Sequence, residues 1–338
     1  MTDFTWKDGE RWVVFRHGAL GDAPALLGEH GWDEYELLTT PRALATAPPG
    51  LRETAAATHE VPAGPVPEVA AAIFDAAGAT SLVALGGGRV IDAAKAIAAV
   101  RGGRVCAIPT TLSGAPMTSI HRLPEGHDAD GLVRPALVLA DPEPMTELPE
   151  QRLRATAMNA LAHGAEALYG PLANPVAEMA ALRGAAAIAA SLDADRAGRG
   201  RAALALGAIL CGYAVGSAGF ALHHVLGQTT VRVCDVPHAA AYAALLPRTI
   251  EAMRDRVPDK IAALADALGT TPEAIGDRID QLAGRPPGLG ELGADREQLD
   301  RIVEVALERP ELGLIPDPPS AGELEAILEA AWERSGPQ

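Results

Sequence analysis

The sequence predicts two structurally different halves, an α/β half built on a parallel sheet and an all-helical half after it. Three observations carry this. Short apolar runs alternate with amphipathic runs up to about residue 140. From about Leu148 onward, long Ala- and Leu-rich segments follow one another with no strand pattern between them. The 338 residues are too many for one comfortable core and suit two domains.

The strand candidates, in order, are Trp12–Arg16, Tyr35–Thr39, Ser81–Leu85, Val105–Pro109 and Ala136–Ala140. Helical runs such as Val66–Ala77 and Val90–Val100 lie between them. Short apolar strands separated by amphipathic helices imply a parallel sheet covered on both faces. Asp141-Pro142-Glu143-Pro144 and Pro149 then break the chain, which sets the expected domains at residues 1–147 and 148–338. In the second domain the pattern predicts helices over Arg152–Tyr169, Pro175–Ser191, Arg201–Val215, Ala239–Met253 and Pro258–Leu268. Further helices are expected over Thr271–Leu282, Asp295–Leu307 and Ala321–Arg334, punctuated by Gly284–Gly290 and Pro316–Ser320.

Composition agrees with a soluble globular protein, with 48% hydrophobic and 21% charged residues. Aromatics are only 4%, and the apolar share is mostly Ala, Leu and Val, which suits close helix packing better than a β-sandwich. A formal net charge of −16 argues against nucleic-acid binding through a basic surface and against adhesion to anionic membranes. Cys106, Cys211 and Cys234 form neither a disulfide framework nor a CxxC metal site, and a reducing cytoplasm is the simplest setting. Met1–Glu10 mixes charges of both signs and has no apolar signal-peptide core. Ala202–Leu222 is uncharged and long enough to span a bilayer. Its Ala and Gly content, and the expectation that no second hydrophobic span exists, favour a buried helix broken near Gly216 or Gly219.

The first chemical motif is a glycine run. Ser81–Leu85 leads straight into Gly86-Gly87-Gly88, and then Arg89, Asp92 and Lys95 open a helix. Three residues without β-carbons let backbone N–H groups approach a pyrophosphate at the positive end of that helix. The competing reading is a tight βα turn that needs positive φ. Lys95 is one of three lysines among 28 basic residues. Either a compact ammonium is required there, or Lys95 pairs with Asp92 on an exposed helix face. The next strand ends in a hydroxyl-rich loop containing Thr110, Thr111, Ser113, Thr118 and Ser119. In an open parallel sheet, ligands bind beyond the carboxyl ends of strands, where these two loops would meet.

The second motif is a set of histidines. Asn159 and His163 stand at i and i+4 on one helix face. His223-His224 follows the uncharged run, and Asp235-Val236-Pro237-His238 opens another helix. Three imidazoles from separate helices are able to meet inside a bundle, and zinc or iron(II) accepts such ligands. A single histidine on an apolar face is, against this, more often a hydrogen-bonded core residue.

Taken in order, GGGxxxDxxK, PTTxxG, NALAHxxEA, and HH followed fourteen residues later by PH resemble the iron-containing alcohol dehydrogenase superfamily. The segment Met158–Tyr169 is most similar to its maleylacetate reductase branch. The resemblance implies a Rossmann-like, dinucleotide-binding α/β domain followed by an all-α substrate and metal domain, the dehydroquinate synthase-like architecture. It implies NAD(P)H, with Gly86, Gly87 and Gly88 on the pyrophosphate and Thr110, Thr111 and Thr118 lining the nicotinamide side. Arg89, Asp92, Lys95 and Thr40 complete the expected cofactor set. In the metal-dependent members, iron or zinc is held at positions that map to Asn159, His163, His224 and His238. A homodimer and a small-molecule substrate are implied by the family alone.

Four departures qualify that picture. Asn159 stands where metal-dependent members have a carboxylate, and a neutral amide is a poorer ligand for a divalent cation. Gln228 stands where a histidine is expected, and it cannot titrate. Arg89 replaces a small hydroxyl residue beside the phosphates. Thr39-Thr40-Pro41-Arg42 lacks the acid that NAD-preferring members carry for the ribose, which permits NADPH. The leading expectation is an NAD(P)H-dependent reductase of a carbonyl or conjugated enone in a small oxygenated substrate. His163, His224, His238, Asn159 and Gln228 would act on the substrate, with or without metal. Arg122, Arg134, His121 and His127 are secondary candidates for meeting a carboxylate. The alternative is a repurposed non-redox enzyme, a lyase, dehydratase or cyclase, on the same scaffold.

Overall fold

The computed structural model describes residues 4–194 and 200–333. Two compact units emerge, Met1–Leu148 and Pro149–Gln338.

The first unit is a seven-stranded sheet: β1 (Phe4–Asp8), β2 (Arg11–Phe15), β3 (Glu36–Thr39), β4 (Ala57–Glu60), β5 (Ser81–Gly86), β6 (Arg104–Pro109) and β7 (Leu137–Ala140). Its spatial order is β1-β2-β7-β6-β5-β3-β4, parallel except for the β1–β2 hairpin. The helices are α1 (Ala23–Glu29), α2 (Pro41–Leu44), α3 (Pro49–Glu53), α4 (Val66–Phe74), α5 (Gly88–Arg101) and α6 (Pro142–Thr146). All five expected strands are present. β1 and β4 were not anticipated, because both are edge strands. The four residues of β4 alternate between half-buried and exposed, so they offer no apolar run.

Both sheet faces are sealed. Val69, Ile91, Ala94 and Ile97 of α4 and α5 pack on one, and Leu26, Leu27 and Leu51 of α1 and α3 pack on the other. The chain moves outward from β3 to β4 and then returns to β5 on the far side of β3. That reversal is the switch point at which open α/β sheets bind ligands. Register aligns the strand ends there: Thr39 pairs with Leu85, and Gly86 with Pro109. The loops after β3, β5 and β6 therefore leave the sheet side by side.

Among its described residues the second unit is helical throughout. Its helices are α7 (Glu150–Ala167), α8 (Pro175–Ala194), α9 (Arg201–Ala218), α10 (Leu222–Cys234), α11 (His238–Met253), α12 (Pro258–Leu268), α13 (Ile275–Ala283), α14 (Gln298–Leu307) and α15 (Ala321–Trp332). Expected boundaries shift by a few residues, and Arg334, placed in the last helix, lies outside the described residues. Helix α10 was not anticipated. The break falls at Gly219, whose φ of +83° ends α9, and the chain re-enters a helix three residues later.

The expectation of a single long apolar span needs correction. Pro175–Ala194 and Arg201–Ala218 are both long and apolar enough to cross a membrane. Their composition has a packing cause. A β-carbon on Gly184 would lie 2.6 Å from Cys211 Sγ and 2.9 Å from the Gly207 carbonyl oxygen, and one on Gly164 would lie 2.8 Å from Cys211 Sγ. Helices α7, α8 and α9 approach so closely that only small residues fit at the crossing.

Candidate active site

In the first unit the glycine run forms a cradle at the switch point. None of Gly86, Gly87 and Gly88 has positive φ, so the strained-turn explanation fails. Space is the reason instead. A β-carbon on Gly86 would strike Val90 Cγ2 at 2.7 Å. On Gly87 it would meet Thr111 Cγ2 at 3.2 Å, and on Gly88 it would meet Ser113 Oγ at 3.1 Å. The glycine and hydroxyl loops are thus pressed together, and the Thr110 N–H donates to the Gly86 carbonyl at 3.0 Å. Helix α5 begins at Gly88 with no side-chain cap, which leaves its first N–H groups for an anion. Arg89 is exposed in this first turn. Ser113 Oγ is buried without a partner beside Gly88.

Lys95 has a different setting from either expectation. It pairs with Asp92 at 2.7 Å, but on a buried face, with its own side chain 0% exposed. Its ammonium donates to the carbonyls of Ala115 and Thr118, both at 3.2 Å, and of Ile120 at 2.9 Å. Lys95 therefore ties down the loop that carries the buried Thr118. Thr40 caps α2, accepting from the Ala43 N–H at 3.3 Å. His121 accepts the Val133 N–H at 3.0 Å, and His127 packs on the Phe74 ring at 4.0 Å, so both imidazoles brace their own loop.

In the second unit the site is built from α7, α10 and α11. Asn159, His163 and Glu166 project from one face of α7. Glu166 is fully buried and reaches the start of α10, which lacks a capping side chain of its own. Its Oε1 accepts the N–H groups of Ala221, at 3.2 Å, and His224, at 3.0 Å. Its Oε2 is hydrogen-bonded to His224 Nδ1. One carboxylate thus caps a helix and fixes an imidazole. The His224 ring lies on Phe220, with centroids 3.9 Å apart, and beside His163 at 4.9 Å. Tyr242 of α11 meets His224 edge-on at 5.2 Å and stacks on His238 at 4.1 Å. His163 and His224 are 5% and 4% exposed, whereas His238 is exposed at the start of α11.

Burial governs the protonation of this group. It holds His163 and His224 well below the ordinary imidazole range, and neighbouring histidines add to the effect. Burial also lowers His223 to about 3, the nearby Glu166 opposing it only in part. The same burial raises Glu166 to about 7, against the pull of His223 and backbone N–H groups. Asn159 Oδ1 and His163 Nδ1 are sealed without partners. An unmatched buried polar atom costs about 1–3 kcal/mol, and two of them one helical turn apart mark a place that a ligand's polar groups would satisfy.

Gln228 lies one turn beyond His224 on α10, and its Oε1 accepts from Arg309 Nη2 at 3.1 Å. Glu166, Tyr242 and Arg309 were not singled out from the sequence. The available signal for Glu166 was an acid three residues after His163 in an Ala-rich helix. Arg309 gave no signal.

The implied metal does not fit these residues. Asn159 offers a neutral oxygen, and the buried carboxylate of Glu166 is engaged by His224 and two backbone N–H groups. Among the described residues no three His, Cys, Asp or Glu side chains are arranged to hold an ion. The nicotinamide cofactor does fit, because the uncapped first N–H groups of α5 and the partnerless Ser113 Oγ beside them offer donors that a pyrophosphate would satisfy.

Comparison with known proteins agrees with this arrangement. Residues 11–142 match the iron-containing alcohol dehydrogenase family, and residues 154–332 match its C-terminal region. Maleylacetate reductase from Rhizobium sp. (strain MTP-10005) is 35% identical over 78% of this chain and 77% of that protein. The Pseudomonas aeruginosa maleylacetate reductase is 33% identical over 88% and 89%. The crystal structure of the Rhizobium enzyme superposes with a TM-score of 0.85 at 31% identity, covering 99% of each chain. An iron-containing alcohol dehydrogenase from Corynebacterium glutamicum gives 0.86 at 26% identity, over 99% of this chain and 98% of that one. The chain belongs to the iron-containing alcohol dehydrogenase superfamily, in its maleylacetate reductase branch.

Proposed function

We propose that this protein is an NAD(P)H-dependent reductase of a conjugated keto acid, with maleylacetate as the first substrate to test. The observation that carries the reading is the 33–35% identity to maleylacetate reductases over most of the chain. Nothing in the comparisons points to the non-redox alternative.

The bound nicotinamide supplies the hydride. Residues 1–147 form the dinucleotide domain and residues 148–338 the substrate domain. Gly86, Gly87, Gly88 and the open α5 N-terminus bind the pyrophosphate, with Arg89 adding positive charge. Lys95 and Asp92 hold the loop that presents Thr118, while Thr110 and Thr111 line the cofactor. Asn159 and His163 orient the substrate through their unmatched polar atoms. Glu166 and His224 hold one proton between them. With Glu166 a carboxylate, that proton sits on Nδ1 and the Nε2 of His224 accepts. When Glu166 takes up a second proton it donates to Nδ1, the ring's own proton moves to Nε2, and Nε2 donates. His238 stands at the outer side of the group. Such a set stabilises developing negative charge on a substrate oxygen without a metal.

We further infer a cytoplasmic homodimer. The three cysteines are unpaired, and the two apolar helices meet α7 through small residues. The deciding experiment titrates metal-analysed protein with NADH and NADPH, then follows nicotinamide oxidation with maleylacetate, wild type beside Arg89→Ser. Binding and turnover support the reductase. Failure of the wild type to bind either cofactor, with binding restored by Arg89→Ser, overturns it.

A further inference from the structure

Gln228 and Arg309 come together from 81 residues apart, and the chemistry of the pair fixes what Gln228 presents. A guanidinium only donates, so the atom it meets must be the amide oxygen, and the amide nitrogen turns elsewhere. Arg309 is itself held: Nε donates to Glu311 Oε2 at 3.1 Å and Nη2 to Glu311 Oε1 at 2.7 Å. That fork is rigid in a way a lysine would not be. Gln228 is half-buried, and its Nε2 is not among the buried atoms left without a partner. It shares a helix face with His224, four residues earlier.

We propose that Arg309 locks the Gln228 carboxamide, so that Nε2 is a permanent, non-titrating hydrogen-bond donor to an oxygen of the substrate. The inference rests on the reductase reading and specifies one contact within it. Gln228 touches substrate, and Arg309 is a positioning residue. Because Glu311 balances the Arg309 charge, recognition here is by hydrogen bond and not by net charge.

The test is steady-state kinetics with maleylacetate, with cofactor affinity measured separately by fluorescence titration and folding by thermal unfolding. Gln228→Glu puts a carboxylate against Arg309 and removes the donor. Its kcat/KM falls about tenfold to a hundredfold, with cofactor affinity unchanged. Gln228→His restores a donor, because a neutral imidazole can accept from Arg309 through one nitrogen and donate through the other. Its activity approaches wild type at about pH 8, and its ratio to wild type at the same pH declines below about pH 6.5, when the ring can no longer accept. Arg309→Met loses less than Gln228→Leu, and the double variant is no worse than Gln228→Leu alone. Wild-type kcat/KM in Gln228→Glu and Gln228→Leu, or fully additive losses in the double variant, overturns the proposal. A wild type that turns over maleylacetate while the variants are unaffected fails this inference alone. A wild type with no turnover fails the reductase reading as well.

Discussion

Glu166 on α7 and His224 on α10 form a buried carboxylate–imidazole pair in which one side chain both orients the ring and caps the helix that carries it. The two roles separate by substitution. Glu166→Gln keeps an oxygen for the Ala221 and His224 N–H groups but removes the acid. The expected result is a fall in kcat of roughly a hundredfold with little loss of stability. Glu166→Leu removes the cap as well and lowers stability by about 1–2 kcal/mol in addition. Turnover measured beside urea unfolding distinguishes them, and wild-type kcat in Glu166→Gln would leave Glu166 as a cap alone.

Lys95 offers a test in the first unit. Replacing it with Met strands two buried carbonyls, the half-buried Ile120 carbonyl and the Asp92 carboxylate. A loss of about 3–5 kcal/mol is expected, because breaking a buried charge network leaves its partners unmatched. Lys95→Arg does not rescue, since the larger head does not fit a fully buried position. Chemical denaturation gives the answer, and a variant as stable as wild type would show that the 115–120 loop is held by something else.

The three glycines are expected to behave differently. Gly86→Ala forces a β-carbon onto a β-branched neighbour in the first turn of α5, so it lowers stability by about 1–3 kcal/mol. Gly88→Ala meets the Ser113 side chain at 3.1 Å and is otherwise in ordinary contact with Ala115 at 3.9 Å, so it weakens cofactor binding about tenfold or more while the fold survives. Equal effects of both substitutions on unfolding, with cofactor affinity intact, would argue against a pyrophosphate site.

The buried histidines predict the direction of acid sensitivity. His223 is lowered to about 3 in the folded chain, against about 6.5 when unfolded. Between those values the unfolded chain takes up a proton that the folded chain does not. Stability is therefore full above about pH 6.5 and declines as pH falls toward 3. His163 and His224 act the same way. Glu166, raised to about 7, opposes them, since its contribution is full below its unfolded value and is lost as pH rises through 7. Three histidines against one carboxyl leave a net loss on acidification, on the order of several kcal/mol. Urea midpoints from pH 7.5 to 5 measure it. His223→Leu gives a shallower decline, and an unchanged slope would remove His223 as a source.

Much of this was legible in the sequence, for physical reasons that also mark where reading stopped. The central strands showed because strands buried on both faces are continuous apolar runs. β4 did not, because an edge strand needs only one covered face. Gly86–Gly88 announced a site, but its cause, contact with Thr111 and Ser113, depends on a neighbouring strand that no local pattern reveals. Helix α10 was hidden because the uncharged run continues across Gly219 without a change in composition. His163 and His224 were legible as a pair. The role of Glu166 was not, since an acid in a helix looks like a surface charge until another helix end is placed against it. Arg309 reaches Gln228 only through tertiary folding.

The sealed thiols have a consequence of another kind. Cys106 lies in β6 of the first unit and Cys211 at the α7–α8–α9 crossing of the second, both fully enclosed. Burial raises both thiols, Cys211 to about 12, so neither supplies the reactive thiolate while the fold is closed. Cys234 is only half-buried. After it has been blocked, the rate at which a thiol reagent reaches Cys106 counts openings of the α/β unit, and the rate at Cys211 counts openings of the helical one. The chain thus carries a separate internal clock for the breathing of each half.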